Sequence, residues 1–145
     1  MGTRALDDLS SELRPLIFQV LARLLERQIP VMIVNTLRTM EEHRANLAAG
    51  TSQAMLSKHL PRTLRGYMGG DDLYKADAID LCPYAVWSEH GPVKLNWDAT
   101  DPGFAAIGQE GEKLGLRWGG RWRTLVDPGH LELPLPSPET QPRPV

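Results

Sequence analysis

The sequence predicts an α+β fold, a small antiparallel sheet with helices packed against it. Three observations carry that reading. Leucines and isoleucines recur at three- and four-residue steps near the start, short apolar runs bounded by proline and glycine follow, and no regular strand-helix-strand rhythm joins them.

The first element is a helix. Leu9, Leu13, Leu16, Ile17, Val20, Leu21, Leu24 and Leu25 trace one buried stripe, and Pro15 is compatible with it only if the helix starts near Ser10 or Ser11. Pro30 then opens PVMIVNTL, which reads as a short buried strand. Thr39 and Glu42 have the spacing of a capping box, so a second helix starts there and stops at Gly50. From Pro61 to Asp72 three glycines and mixed charge show no period, as in a surface loop. ADAIDLCPY reads as a strand halted by Pro83. Asp101-Pro102 supplies an N-cap and a first-turn proline for a helix through Leu114, with Gly115 as its stop. RWRTLVDPGHLEL reads as two strand segments around a DPG turn.

Composition narrows the function. The 145 residues suit one core, which is expected to end near Leu133, because five of the twelve prolines lie in the tail PLPSPETQPRPV, expected to be disordered. Sixteen Lys and Arg against eighteen Asp and Glu leave a net charge of −2, which speaks against an electrostatic grip on nucleic acid or anionic lipid. A single cysteine, Cys82, excludes an intrachain disulfide and a cysteine-rich zinc module. No apolar run approaches the ~18 residues of a membrane helix, and MGTRALDDLSSELR lacks the apolar stretch of a secretion signal. The expectation is synthesis in the cytoplasm.

The residues with chemistry to offer are histidines and nearby acids. His59 sits in Ser57-Lys58-His59, Asp80 in Ala78-Ile79-Asp80, and His130 in Asp127-Pro128-Gly129-His130-Leu131-Glu132. Two imidazoles and one carboxylate form a donor set suited to zinc in hydrolytic sites, which keep a fourth position open for water. By residue type alone, exposed or hydrogen-bonded side chains are the commoner reading of such residues.

Their order adds a resemblance. Ser57-x-His59, Ala78-x-Asp80-Leu81, Trp118-Gly119-Gly120-Arg121-Trp122 and Asp127-x-x-His130-x-Glu132 together resemble the signature of the zinc D-Ala-D-Ala carboxypeptidase and L-alanyl-D-glutamate endopeptidase family, most of all its phage endolysins. Arg38-Thr39-x-x-Glu42 and Leu47-x-x-Gly50 extend the likeness upstream, to about residues 9–133.

The resemblance implies that His59, Asp80 and His130 bind one zinc ion and that Asp127 is the general base. Zinc lowers the pKa of water from 15.7 toward about 7, and a carboxylate three residues before a ligand is placed to take the proton. Arg38 is implied to face the site and steady a substrate carboxylate or the developing oxyanion, with a surface ion pair to Glu41 or Glu42 as the alternative. Ser57 is either a site-facing hydroxyl or a turn cap, and Glu132 shares strand parity with His130 and can orient it. Trp118 and Trp122 either wall the cleft or fill the core.

Three departures stand out. His59 and Asp80 lie twenty-one residues apart, whereas the compact members of the family it resembles place the aspartate about seven after the histidine, so 61–72 looks like an insertion at the cleft rim and Asp77 competes with Asp80 as ligand. His43 replaces a frequent glutamine and is expected on the helix surface or behind the site; Arg121 stands where an acid is common. Cys82 is expected to be a buried thiol and His90 a loop residue.

The implied activity is hydrolysis of the peptidoglycan stem peptide, at the bond between L-Ala and D-Glu. The alternatives are a D,D- or L,D-carboxypeptidase on the same scaffold and a non-catalytic zinc- or wall-binding module. The expected partner is peptidoglycan, met by a monomer that neither inserts in membranes nor binds nucleic acid. Such a protein reaches the wall from the cytoplasm once the membrane is permeabilised.

Overall fold

The computed structural model of the protein describes residues 2–49, 57–84 and 95–134. Gly50, His90 and the proline-rich tail beyond Pro134 lie outside the described residues, and so do the expectations attached to them.

Helix α1 spans Arg14–Glu26 with Pro15 in its first turn. Leu9, Leu13, Ile17, Val20 and Leu24 are buried on one stripe. Leu25, expected on that stripe, is 71% exposed, because one residue beyond Leu24 the helix has turned about 100° away from the core. Strand β1, Val31–Asn35, is only half-buried throughout, contrary to the expected buried strand. Its place explains this: the sheet order puts it at an edge, ahead of β2 (Ala78–Pro83), β4 (His130–Glu132) and β3 (Arg117–Trp118). All three strand pairings are antiparallel.

Helix α2 spans Met40–Ala48, and the Thr39 hydroxyl accepts the Glu42 N–H as the capping-box spacing requires. Helix α3 spans Pro102–Lys113; Asp101 caps it by accepting the Gly103 N–H at 2.7 Å, and Gly115, at φ +83°, ends it. This helix lies directly on the sheet because it presents glycines there. A Cβ on Gly108 would come within 2.2 Å of the Trp118 ring, and one on Gly111 within 2.5 Å of Leu131. Ile79, Leu81, Leu131, Phe104 and Ile107 complete the core between sheet and helices.

Two segments depart from the expected structure. Residues 121–126 are not a strand. The chain leaves β3 into a 3₁₀ turn, Gly119–Arg121, and the Asp127 N–H returns to the Gly119 carbonyl at 3.0 Å. Closing the loop at its base pushes the intervening residues outward, away from the four described strands, and Arg123 to Val126 are exposed. The 61–72 segment is more than a surface loop. It forms a 3₁₀ turn, Arg62–Arg65, capped by Gly66 at φ +89°, and Arg65 is 4% exposed. Local periodicity misses it because the partner that buries Arg65 is Asp77, twelve residues on.

The α3–sheet contact predicts a sharp steric response. Gly108→Ala forces the Trp118 ring out of its position, an overpacking cost of about 1–3 kcal/mol. Thermal unfolding should show a Tm lowered by several degrees, whereas Gln109→Ala, on an exposed position of the same helix, leaves it nearly unchanged.

Candidate active site

The β2–β4 register sets Asp80 directly opposite His130. Ile79 and Leu131, one residue along on each strand, point to the other face and into the core. His59 arrives from outside the sheet on the turn Ser57–Leu60, docked on one side by the Arg38 N–H to the His59 carbonyl (2.8 Å) and on the other by the Asp77 N–H to the Lys58 carbonyl (2.9 Å).

The three side chains converge. His130 Nδ1 is 3.0 Å from Asp80 Oδ1, His59 Nε2 is 3.1 Å from Asp80 Oδ2, and the two ring nitrogens are 3.3 Å apart. One donor atom from each residue lies within 4.8 Å of the others, so the group could hold a metal ion. Zinc bonds of about 2.0–2.1 Å at tetrahedral angles put neighbouring donors about 3.3 Å apart, close to these separations.

The remote ring nitrogens fit as well. His59 Nδ1 lies 2.8 Å from the Thr36 carbonyl, which can only accept, so the proton belongs on Nδ1 and the Nε2 lone pair faces the site. His130 Nε2 donates to Glu132 Oε1 at 2.8 Å, leaving Nδ1 inward. Lys58 holds the other Glu132 oxygen at 2.8 Å and the Leu133 carbonyl at 2.7 Å. Neither Thr36 nor Lys58 stood out in the sequence. A main-chain carbonyl carries no sequence signal, and a lysine beside a ligand looks like any surface lysine until Glu132 is seen opposite it.

The charges shape one another. Burial opposes ionisation of Asp80, but the two histidines beside it outweigh burial and hold its carboxyl well below the usual range. Burial likewise opposes a charge on His130, yet its bonds to Asp80 and Glu132 raise it to about 10. Glu132 falls to about 2 against the cost of its own burial, through His130 and Lys58.

Asp127 stands at the edge of this group, 46% exposed, with Oδ2 3.9 Å from His130 Nδ1. Burial and the negative charge of Asp80 raise its carboxyl above the usual range, with His130, His59 and Arg38 acting in the opposite sense. Arg38 therefore lies close enough for its charge to reach Asp127, and it also lines a cavity of about 290 Å³ with Leu37, Met40, Pro61 and Leu64. The Ser57 hydroxyl accepts the His59 N–H at 3.2 Å, which is the turn-cap arrangement. Trp118 donates from Nε1 to the Pro128 carbonyl at 2.7 Å and packs on α3, so it supports the site loop from the core side. The Trp122 ring instead lies against His130, centroids 4.8 Å apart.

Asp77 is turned away from the group. Both its oxygens are taken by Arg62 and Arg65, and it is fully buried. His43, expected on the helix surface or behind the site, is fully buried, so the surface reading fails. Cys82 is buried, its Sγ 3.4 Å from the Asn96 carbonyl. Arg121 pairs with Glu112 on α3 and lies over the Trp118 ring.

The small antiparallel sheet carries Asp80 and His130, and an adjoining turn brings His59 to them, so that together they form a candidate metal centre. Residues 75–133 match the family profile described as D-alanyl-D-alanine carboxypeptidase. The chain is 30% identical over 104 residues to the L-alanyl-D-glutamate peptidase of Listeria phage A118, an alignment covering 72% of this chain and 30% of that protein. The crystal structure of Serratia marcescens L-Ala D-Glu endopeptidase ChiX superposes with a TM-score of 0.59 at 25% identity, over 92% of this chain and 88% of that one. Residues 75–133 thus carry a domain of the D-alanyl-D-alanine carboxypeptidase family, and the chain as a whole is similar to L-alanyl-D-glutamate peptidases. It spans less than a third of the length of its phage relative.

The elevated His130 pKa has a defined sign in the metal-free protein. A group charged more readily in the native than in the unfolded state contributes stability below its ordinary value of 6.5, and that contribution is lost as pH rises toward about 10. Denaturation of the metal-free protein should show stability falling across this window. In Asp80→Asn the fall should shrink, and the His130 ring resonances should titrate closer to the ordinary histidine range.

Proposed function

We propose that the protein is a zinc-dependent endopeptidase that hydrolyses the peptidoglycan stem peptide between L-Ala and D-Glu, weakening the bacterial cell wall. The observation that carries this reading is the convergence of two ring nitrogens and a carboxylate at 3.0–3.3 Å, each imidazole oriented from behind, with a fourth acidic group, Asp127, alongside. A structural metal site needs no such neighbour; hydrolysis needs a base. The activities of the phage relative and of ChiX support the choice of bond.

In this reading His59, Asp80 and His130 hold the zinc ion, which when bound supplies Lewis acidity toward the scissile carbonyl and makes water easier to deprotonate. Asp127 takes the proton of the attacking water and returns it to the leaving amine, from its place beside His130. Arg38 offers positive charge to the oxyanion or to a substrate carboxylate. Glu132, anchored by Lys58, keeps His130 in its ligand orientation. Trp122 borders the site beside His130, Trp118 steadies the Asp127 turn by way of Pro128, and Ser57 fixes the His59 turn.

Carboxypeptidase action is the second reading, favoured by the description of the family profile over 75–133. Among the described residues no helix is long and apolar enough to cross a membrane, and we propose that the enzyme reaches the wall after the membrane is permeabilised, as a phage lysis enzyme does.

Mass spectrometry of digested cell wall separates the two activities. Endopeptidase action releases stem peptides beginning at D-Glu, carboxypeptidase action only terminal D-Ala, and the absence of any product refutes both. Chelator should abolish wall hydrolysis and added zinc restore it. Asp127→Ala should lower the rate by roughly 10²–10⁴-fold while bound zinc is retained; undiminished lysis by a zinc-loaded Asp127→Ala protein would contradict the assigned base.

A further inference from the structure

Asp77 is a fully buried acid bound by two arginines, and the proposed hydrolysis does not use it. Its side chain is 0% exposed. Arg62 binds both its oxygens, from Nε at 2.9 Å and from Nη2 at 2.8 Å, and Arg65 adds a third contact. Three charged groups are not buried together by hydrophobic collapse, since each loses its hydration and must be repaid by geometry.

The geometry reaches every segment that brings a donor to the site. The Asp77 N–H donates to the Lys58 carbonyl, immediately before His59. Arg65, held by Asp77, donates from Nε to the Leu60 carbonyl at 3.0 Å, immediately after His59. The Asp77 carbonyl accepts the Leu133 N–H at 3.0 Å, at the end of the strand that carries His130 and Glu132. Asp80 lies three residues further along the strand Asp77 leads into. Asp77 thus fixes both neighbours of His59, the far end of β4 and the start of β2 at once. The 61–72 segment, an apparent interruption of the ligand motif, supplies the two arginines that make this possible.

We infer that Asp77, clamped by Arg62 and Arg65, is a positioning residue that holds His59, Asp80 and His130 in metal-binding register before a metal arrives. The inference rests on the metal reading of the site given above. Ligands fixed in advance lose no freedom on binding, and loss of groups that support metal ligands typically weakens metal affinity 10–100-fold.

The test is zinc affinity, measured by competition with a chromophoric chelator, together with the Tm of the metal-free proteins. Asp77→Asn keeps the side-chain shape, removes the charge and turns an amide toward the arginines; it should weaken zinc binding at least tenfold. Arg65→Lys keeps the charge but loses the fork that joins Asp77 to the Leu60 carbonyl, and should give a smaller loss. Val20→Ala, in the α1 core and remote from the ligands in sequence, controls for stability: at a comparable fall in Tm it should bind zinc as tightly as the unaltered protein. Unchanged zinc affinity in Asp77→Asn overturns the inference, as does an equal loss in Val20→Ala. If Asp77→Asn does not fold, Arg65→Lys decides, and wild-type affinity in that variant is the overturning result. Failure of the unaltered protein to bind zinc refutes the metal reading itself and this inference with it.

Discussion

The pairing of β2 with β4 is the constraint on which the rest depends. It places Asp80 against His130 on one face and Ile79 against Leu131 on the other. The period of two in a strand means that a slip of one residue would exchange these faces, burying a carboxylate and an imidazole against α3 and pushing two large apolar side chains into the site. The register is therefore defended twice, by the apolar core on one side and by the Asp80–His130 contact on the other. Gly111 and Gly129 add to this. Leu131 fills the place of a Gly111 side chain, and the Leu81 carbonyl comes within 2.2 Å of where a Gly129 Cβ would stand. Larger residues there would lift the helix or the DPG turn away from the strand.

Much of this was legible in the sequence, because much of it is local. The caps at Thr39 and Asp101, the proline in the first turn of α1, the halt at Pro83 and the left-handed Gly115 are each decided within four residues. The ordered placement of Ser57, His59, Asp80, Asp127, His130 and Glu132 was legible too, through resemblance. What could not be read depends on partners distant along the chain. Arg65 looked like loop charge because nothing local buries it, and its salt bridge to Asp77 exists only once the 61–72 segment has folded back on Lys75 and Leu73. The 121–126 run has the alternating residues of a strand but joins no sheet, since β3 ends at Trp118 and among the described strands β4 is already flanked by β2 and β3. Strand propensity is a statement about fitting a sheet, and it fails where the sheet has no free place.

The same distinction separates Asp77 from Asp80. Both are acids in one strand region, three residues apart, and so they face opposite sides. On one side are two arginines; on the other, two histidines. Guanidinium groups satisfy a carboxylate completely and permanently, since they stay charged at any physiological pH, and they leave it no lone pair for a metal. Imidazoles satisfy a carboxylate only while protonated, and they can exchange that proton for a metal ion without moving. Chemistry, more than motif spacing, is what supports the proposal that Asp77 belongs to the scaffold and Asp80 to the site.

Asp80 and Asp127 extend that argument into the site. Both are carboxylates near His130, at 3.0 and 3.9 Å, yet their environments drive them in opposite directions. Asp80 is embraced by both histidines and is held ionised, whereas Asp127 feels burial and the repulsion of Asp80 and is pushed upward. Two like acids so close cannot be equivalent, because ionising the first makes the second harder to ionise. A carboxylate must be ionised to bind a metal, and peptide hydrolysis asks its base to gain and lose a proton. The proposed division of labour between the two follows from their surroundings, and those surroundings follow from the strand register that sets Asp80 between the histidines and leaves Asp127 on the turn before β4.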